Sequence, residues 1–193
     1  MQVVSSSDSA TERLGHELGS LAYGYWVKAQ VGFFLSLQGT LGAGKTQFAR
    51  GFIQGWVQAA GSKAELITSP TFSIVNEYCL GNPAPLAHLD LYRLDDMREL
   101  ENLGYEEYFF NRAATVVEWL DKFDALSHVR LRPSHAMIVT IEIPTYNSTD
   151  NTTEIGTQRR IEFVTNHVPH QKLLLELRHA LENKVSELLF ESS

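Results

Sequence analysis

Cysteine is nearly absent from this chain. Cys79 stands alone among 193 residues, so no intrachain disulfide can form and a reducing compartment is the natural setting. Cations are also scarce: 16 Lys and Arg face 23 Asp and Glu, a formal net charge of -7. Affinity for nucleic-acid backbones comes from clustered cations, which argues against a protein that wraps nucleic acid unaided and leaves any RNA role to be shared with a partner. No apolar run is long enough to span a bilayer, and residues 1–8 lack the basic-then-apolar order of a signal peptide, so a cytoplasmic protein without a membrane partner is expected. The N-x-T matches at Asn147 and Asn151 then read as accidental, because glycosylation requires secretion. Neither an internal repeat nor a low-complexity tract divides the chain, and its length suits a single domain over 1–193.

What is present begins with Gly39-Thr40-Leu41-Gly42-Ala43-Gly44-Lys45-Thr46, which fits G-x-x-x-x-G-K-[ST]. The apolar run Val31, Phe33, Phe34, Leu35, Leu37 precedes it, and a segment with Phe48, Phe52, Ile53 and Trp56 at helical spacing follows. Strand, glycine turn, helix is the order that triphosphate binding requires. Glycines let backbone N–H groups converge on phosphate oxygens, and the helix N-terminus adds partial positive charge. The loop from Gly39 through Leu41, Gly42, Ala43 and Gly44 is therefore the expected phosphate cradle, with Lys45 reaching the β- and γ-phosphates and the Thr46 hydroxyl a ligand of Mg²⁺. The predicted fold is α/β, a P-loop NTPase-like three-layer sandwich whose mixed, mainly parallel central sheet carries helices on both faces. A guanine-specific N-K-x-D signature is missing, since Asn183-Lys184-Val185 is followed by Ser186.

The remaining chain can be placed around that loop. Val3 and Val4 suggest a short strand, and Ser7, Asp8 and Ser9 offer caps for a helix carrying Leu14, Leu18, Leu21, Ala22 and Tyr25. Thr68-Ser69-Pro70-Thr71-Phe72 is a turn opening into a strand with Phe72, Ile74 and Asn76 on one face. Pro70 constrains the backbone there, so the Ser69 and Thr71 hydroxyls are either γ-phosphate sensors or a plain strand entry. Cys79 reads as a half-buried strand residue, and Gly81, Asn82, Pro83 and Pro85 as a turn. One strand over 86–91 ends near Asp90, and another over 113–117 is closed by Glu118. A phosphate loop needs a carboxylate at a neighbouring strand end to hold Mg²⁺ or orient water, and both qualify.

Residues 90–124 hold 10 acidic and 4 basic side chains interleaved with aromatics, either a solvated face or a partner surface. Short helices are predicted over 95–103 and 121–126, then a loop with Arg130, Arg132 and Pro133. Strands follow over 137–143 and 160–165, joined by a polar loop at 145–158. Arg159 and Arg160 either reach phosphates or RNA or form a solvated strand start. Pro169 inside His167-x-x-His170 argues against two ligands on one helix face. Leu174, Leu177, Leu181, Val185 and Leu188 predict an amphipathic C-terminal helix over about 170–190 that packs on the sheet.

Together these motifs resemble one family, the small bacterial phosphate-loop ATPases of the TsaE type, which act in making threonylcarbamoyladenosine on tRNA. The resemblance rests on residues 39–46, Ser69-Pro70-Thr71-Phe72 with Val75-Asn76-Glu77-Tyr78, and His88-Leu89-Asp90-Leu91-Tyr92-Arg93-Leu94. Glu99-Leu100, Leu103-Gly104, Tyr108-Phe109 and Val117-Glu118-Trp119 complete it, over roughly residues 9–123. It implies ATP and Mg²⁺ as cofactors and a TsaB–TsaD heterodimer as partner, whose repeated turnover ATP hydrolysis permits, with tRNA met only indirectly or within the complex. The implied roles are Lys45 on the phosphates, Thr46 and Glu118 on Mg²⁺, Asp90 in catalysis, and Thr71 in a switch-like segment. Trp119, core by spacing alone, would lie beside the site. Three positions depart from the family pattern: Thr40 stands where an acidic residue is usual, Gln47 where a second hydroxyl contacts the α-phosphate, and Leu120 where proline is common. Two other readings remain open. A small-molecule or nucleotide kinase would usually carry an arginine-bearing lid, whereas Arg93, Arg98 and Arg112 are scattered through the acidic segment; a nucleotide-gated binding module would have only vestigial hydrolysis.

Overall fold

A computed structural model describes residues 1–63, 67–78, 85–124, 131–144, 158–182 and 188–190. The expectations for Cys79, the turn at 81–83, Arg130, both N-x-T matches, most of the 145–158 loop and residues 183–187 lie outside the described residues. In chain order the elements are β1 (Gln2–Ser5), α1 (Asp8–Ala29), β2 (Phe33–Gln38), α2 (Lys45–Ala59), β3 (Val75–Tyr78), β4 (Leu86–Asp90) and α3 (Met97–Asn102). Then come α4 (Tyr105–Phe110), β5 (Ala114–Glu118), α5 (Asp121–Asp124), β6 (Met137–Glu142), β7 (Arg159–Val164), α6 (Val168–Glu182) and β8 (Leu188–Phe190).

β2 is a nearly continuous apolar run because both of its faces are covered. Phe33, Leu35 and Leu37 enter a core shared with α1, α2 and α6, while Phe34 enters a second core with Leu100, Phe109 and Phe123 from α3, α4 and α5. This alternation makes the three-layer α/β sandwich expected from the sequence. The sheet order is β3-β4-β5-β2-β6-β7-β1-β8. Four adjacent strands, β4, β5, β2 and β6, are parallel, and the pairings on either side of them are antiparallel. The carboxyl ends of β4, β5 and β2 therefore lie side by side, which is where open α/β sheets place ligands.

α1 starts at Ser7, whose hydroxyl accepts the Ala10 N–H at 3.1 Å. It ends at Gln30 in the left-handed conformation. Along its length it lies backbone to backbone against α2. A Cβ at Gly15 or Gly19 would come within 2.3 or 2.0 Å of the Phe48 or Phe52 carbonyl oxygen, and one at Gly51 or Gly55 within 1.9 or 2.0 Å of Glu12 or His16. Glycines four apart on both helices thus permit the close crossing that locks α2 in place.

Two elements differ from the sequence reading. The predicted strand at Phe72 begins only at Val75, because Thr71 to Ser73 turn and Ile74 has φ +67°. Phe72 consequently points outward, 89 % exposed. The amphipathic C-terminal helix predicted over about 170–190 is described only over Val168–Glu182, with Leu173, Leu174, Leu177 and Leu181 buried. Leu188 to Phe190 instead pair antiparallel with β1, satisfying backbone groups that β1 would otherwise expose at the sheet edge.

As the sequence indicated, His167 and His170 do not share a helix face, since His167 precedes α6; Pro169 lies between them. It sits in the first turn of α6, where a missing N–H costs nothing, so that turn brings the His167 and His170 rings to 4.6 Å between centroids. His135 lies 6.0 and 6.3 Å from them, and the Tyr25 hydroxyl bonds His167 Nε2 at 3.1 Å. Burial, followed by the neighbouring His167 and His135, pushes His170 from 6.5 down to about 3. Folded His170 therefore stays neutral where the unfolded chain protonates, and the stability it permits is present above about 6.5 and drains away as pH falls towards 3. Each pH unit inside that window removes at most about 1.4 kcal/mol through this group. The thermal midpoint is expected to fall between pH 6.5 and 5, before most carboxylates titrate, and His170→Phe should flatten that slope in melts run across the interval.

Candidate functional site

The site grows from the end of β2. Gly39, Gly42 and Gly44 adopt φ of +139°, +77° and +104°, and a Cβ at Gly39 would sit 2.2 Å from the Ile141 carbonyl oxygen, so the loop cannot be built without glycine there. Gly44 caps α2 without any side-chain bond, leaving the first amides of that helix without side-chain acceptors. Arg159, reaching over from β7, braces the loop: its Nε donates to the Ala43 carbonyl at 2.9 Å, and Asp8 lies 3.8 Å from its guanidinium. It is buried, not the solvated strand start that the sequence allowed.

Lys45 folds back over its own loop. Its Nζ donates to the Gly39 and Thr40 carbonyls at 2.8 and 2.9 Å and lies 3.7 Å from the centre of the Trp119 ring. Burial pushes its ammonium below the usual lysine range, while Glu118, Asp121 and Asp90 pull it back up. Trp119 takes this place because it turns out of β5 with φ +68° and donates its N–H to the Leu37 carbonyl at 3.3 Å.

The two carboxylates meet through strand register. Asp90 and Glu118 are partners in the parallel β4–β5 pair, and Leu37 of β2 is opposite Glu118. Thr46 donates its hydroxyl to Glu118 Oε2 at 3.0 Å. Asp90 is held on both oxygens: Thr71 donates to Oδ2 at 2.5 Å and the Tyr92 N–H to Oδ1 at 3.0 Å. Ser69 lies 2.7 Å from the Thr71 hydroxyl. Ile74, in its left-handed conformation, accepts the Asp90 N–H at 3.0 Å, which ties the turn to the end of β4.

These groups line one cleft of about 320 Å³. Leu41, Gly42, Gly44, Lys45, Thr46, Gln47, Thr71, Asp90, Glu118, Trp119 and Arg159 all face it, while Gly39 and Ala43 stand behind and act through their carbonyls. Gln47 accepts from Arg50 at 2.9 Å. Asp8 and Tyr92 line the cleft as well, although spacing marked Asp8 only as a cap. His88 was quoted only as part of the motif around Asp90 and given no role, yet period two from Asp90 along β4 would have put it on the same face. A larger hollow, about 510 Å³, lies where α6 meets β1 and β7, but it has neither a glycine loop nor paired carboxylates.

Thr46 and Glu118 supply hard oxygen donors, and among the described residues no group of three or more His, Cys, Asp or Glu side chains is arranged to hold a metal. That donor set fits Mg²⁺, which keeps waters and takes one or two protein oxygens together with phosphate oxygens. The uncapped α2 amides and the glycine cradle likewise fit an anionic phosphate chain.

Comparison with known proteins agrees with this arrangement. The family model described as "Threonylcarbamoyl adenosine biosynthesis protein TsaE" matches residues 5–155. The chain belongs to the TsaE family. Proteins named tRNA threonylcarbamoyladenosine biosynthesis protein TsaE are similar over shorter spans. That of Bacillus subtilis (strain 168) is 44% identical over 91 residues, 47% of this chain and 52% of the relative. The Synechocystis sp. (strain ATCC 27184 / PCC 6803 / Kazusa) protein is 39% identical over 122 residues, 61% and 69% of the two chains. That of Haemophilus influenzae (strain ATCC 51907 / DSM 11121 / KW20 / Rd) is 41% identical over 86 residues, 45% and 51%. The chain thus spans about half to two thirds of the length of these curated relatives. Arg159, which braces the phosphate loop, lies beyond the segment that the TsaE model matches.

Proposed function

We propose that this chain is an ATPase that uses Mg²⁺ and acts in tRNA threonylcarbamoyladenosine modification by supporting repeated turnover of a TsaB–TsaD heterodimer. One observation carries the reading: Lys45, the Thr46–Glu118 pair and the Thr71–Asp90 pair converge on a single cleft at the carboxyl ends of parallel strands. When bound, ATP with Mg²⁺ would supply the phosphoryl bond and its charge. The chain's own part is positioning. The α2 amides and Lys45 stabilise negative charge on phosphate oxygens, Thr46 and Glu118 hold the cation, and Asp90, fixed by Thr71 and the Tyr92 amide, orients water. Lys45 would exchange its two loop carbonyls for phosphate oxygens.

Asp90→Asn keeps the shape and removes the charge. With the heterodimer present, it is expected to lower phosphate release from ATP by about 100-fold or more while leaving ATP binding nearly intact. Unchanged turnover would remove Asp90 from the mechanism. Phosphate release without any acceptor supports hydrolysis, whereas transfer to a metabolite would replace this reading with a kinase. Pull-down of the heterodimer with and without ATP tests the partner.

A further inference from the structure

We infer that His88 is a positioning residue that makes Glu118 offer one oxygen to the cleft, and that it thereby sets a preference for Mg²⁺ over Ca²⁺. This rests on the reading of Thr46 and Glu118 as the cation-holding pair. His88 is 1% exposed within β4, and its Nε2 lies 3.0 Å from Glu118 Oε1. The other oxygen, Oε2, accepts the Thr46 hydroxyl at the cleft. A carboxylate can only accept, so His88 donates from Nε2. Its buried Nδ1 has no partner among the described residues, and an orphaned lone pair is tolerated better than an orphaned N–H, which favours the same tautomer.

The consequence is geometric. With Oε1 engaged behind it, Glu118 is held from swinging to present both oxygens, and this pair offers the cleft one Glu118 oxygen beside the Thr46 hydroxyl. Mg²⁺ demands near-octahedral geometry and accepts single oxygens with waters. Ca²⁺ takes more ligands and often both oxygens of a carboxylate. A side chain that pins Glu118 from behind therefore favours the smaller ion, in the way that hydrogen-bonded partners orient metal ligands elsewhere.

The test measures binding of a non-hydrolysable ATP analogue to the full chain in Mg²⁺, in Ca²⁺ and in EDTA. In the unaltered chain Mg²⁺ should raise affinity more than Ca²⁺. His88→Leu should cut the Mg²⁺-dependent gain by about 10-fold or more and leave the EDTA affinity unchanged. His88→Gln, whose amide reaches the Nε2 position, should restore most of that gain. Should His88→Leu fail to fold in a thermal melt, His88→Asn, whose amide stops short of Glu118, carries the same expectation. An unchanged ratio of Mg²⁺ to Ca²⁺ gain overturns the proposal for His88 alone, as does an equal loss in all three conditions. Absence of any Mg²⁺-dependent gain in the unaltered chain overturns the reading of Thr46 and Glu118 beneath it.

Discussion

Lys45→Ala is expected to lower phosphate release in the reconstituted complex by about 100- to 1,000-fold, the loss typical when one preorganised charge donor is removed. In the structure the ammonium is already at the mouth of the loop, on the Gly39 and Thr40 carbonyls and over Trp119, with Glu118 and Asp90 nearby. Burial lowers its pKa and the surrounding carboxylates offset this only in part, while the two carbonyl bonds hold the Nζ where the phosphates are expected. The loop itself is set by three glycines with positive φ and by Arg159, which Lys45→Ala leaves in place. The variant should therefore melt close to the unaltered chain. Lys45→Arg should not rescue, because a planar guanidinium cannot replace a compact ammonium in this space. Turnover within tenfold of the unaltered chain would count against the assignment. A large drop in melting temperature would instead show that the loop depends on those two lysine bonds.

The largest stability effect is expected at the α1–α2 crossing. Gly19→Ala would place its Cβ 2.0 Å from the Phe52 carbonyl oxygen, and neither helix backbone can give way without separating the pair. About 3 kcal/mol or more should be lost, a large part of the stability of an ordinary domain. Gly24→Ala on the same helix is the control. Nothing lies within 4 Å of that Cβ, so only helix propensity acts, and a gain of up to about 1 kcal/mol is expected. Denaturant unfolding of the two variants should thus shift in opposite directions. Equal shifts would mean that the crossing is looser than these distances state. Because α2 begins at Lys45, a wider crossing would also move the first amides of that helix, so Gly19→Ala should weaken nucleotide binding although its contact at Phe52 lies about two helical turns beyond Lys45.

The phosphate loop was the most legible part of the site. Its glycines, Lys45 and Thr46 are contiguous, and their geometry is imposed by local backbone conformation. Asp90 and Glu118 could be named as strand-end carboxylates, yet their adjacency depends on β4 and β5 being parallel neighbours in register, which no local pattern states. Thr71 was left between phosphate sensor and strand entry because the sequence does not show Asp90 accepting its hydroxyl. Phe72 was placed on a strand face because hydrophobicity alone cannot reveal that Ile74 takes a left-handed turn. His88 was given no role and Arg159 was left between two readings for a shared reason: each matters through one partner distant in the chain, Glu118 in one case and the Ala43 carbonyl in the other.

By itself the sequence determined the local chemistry: a strand, glycine turn and helix suited to phosphates, an α/β alternation of apolar runs, and carboxylates at strand ends. Only the tertiary structure decided which strands became neighbours, and therefore which oxygen of Glu118 faces Thr46 and which faces His88. The physical reason is range. Backbone conformation and apolar periodicity are set within a few residues, whereas strand order and helix crossing follow from burying those surfaces together at native density.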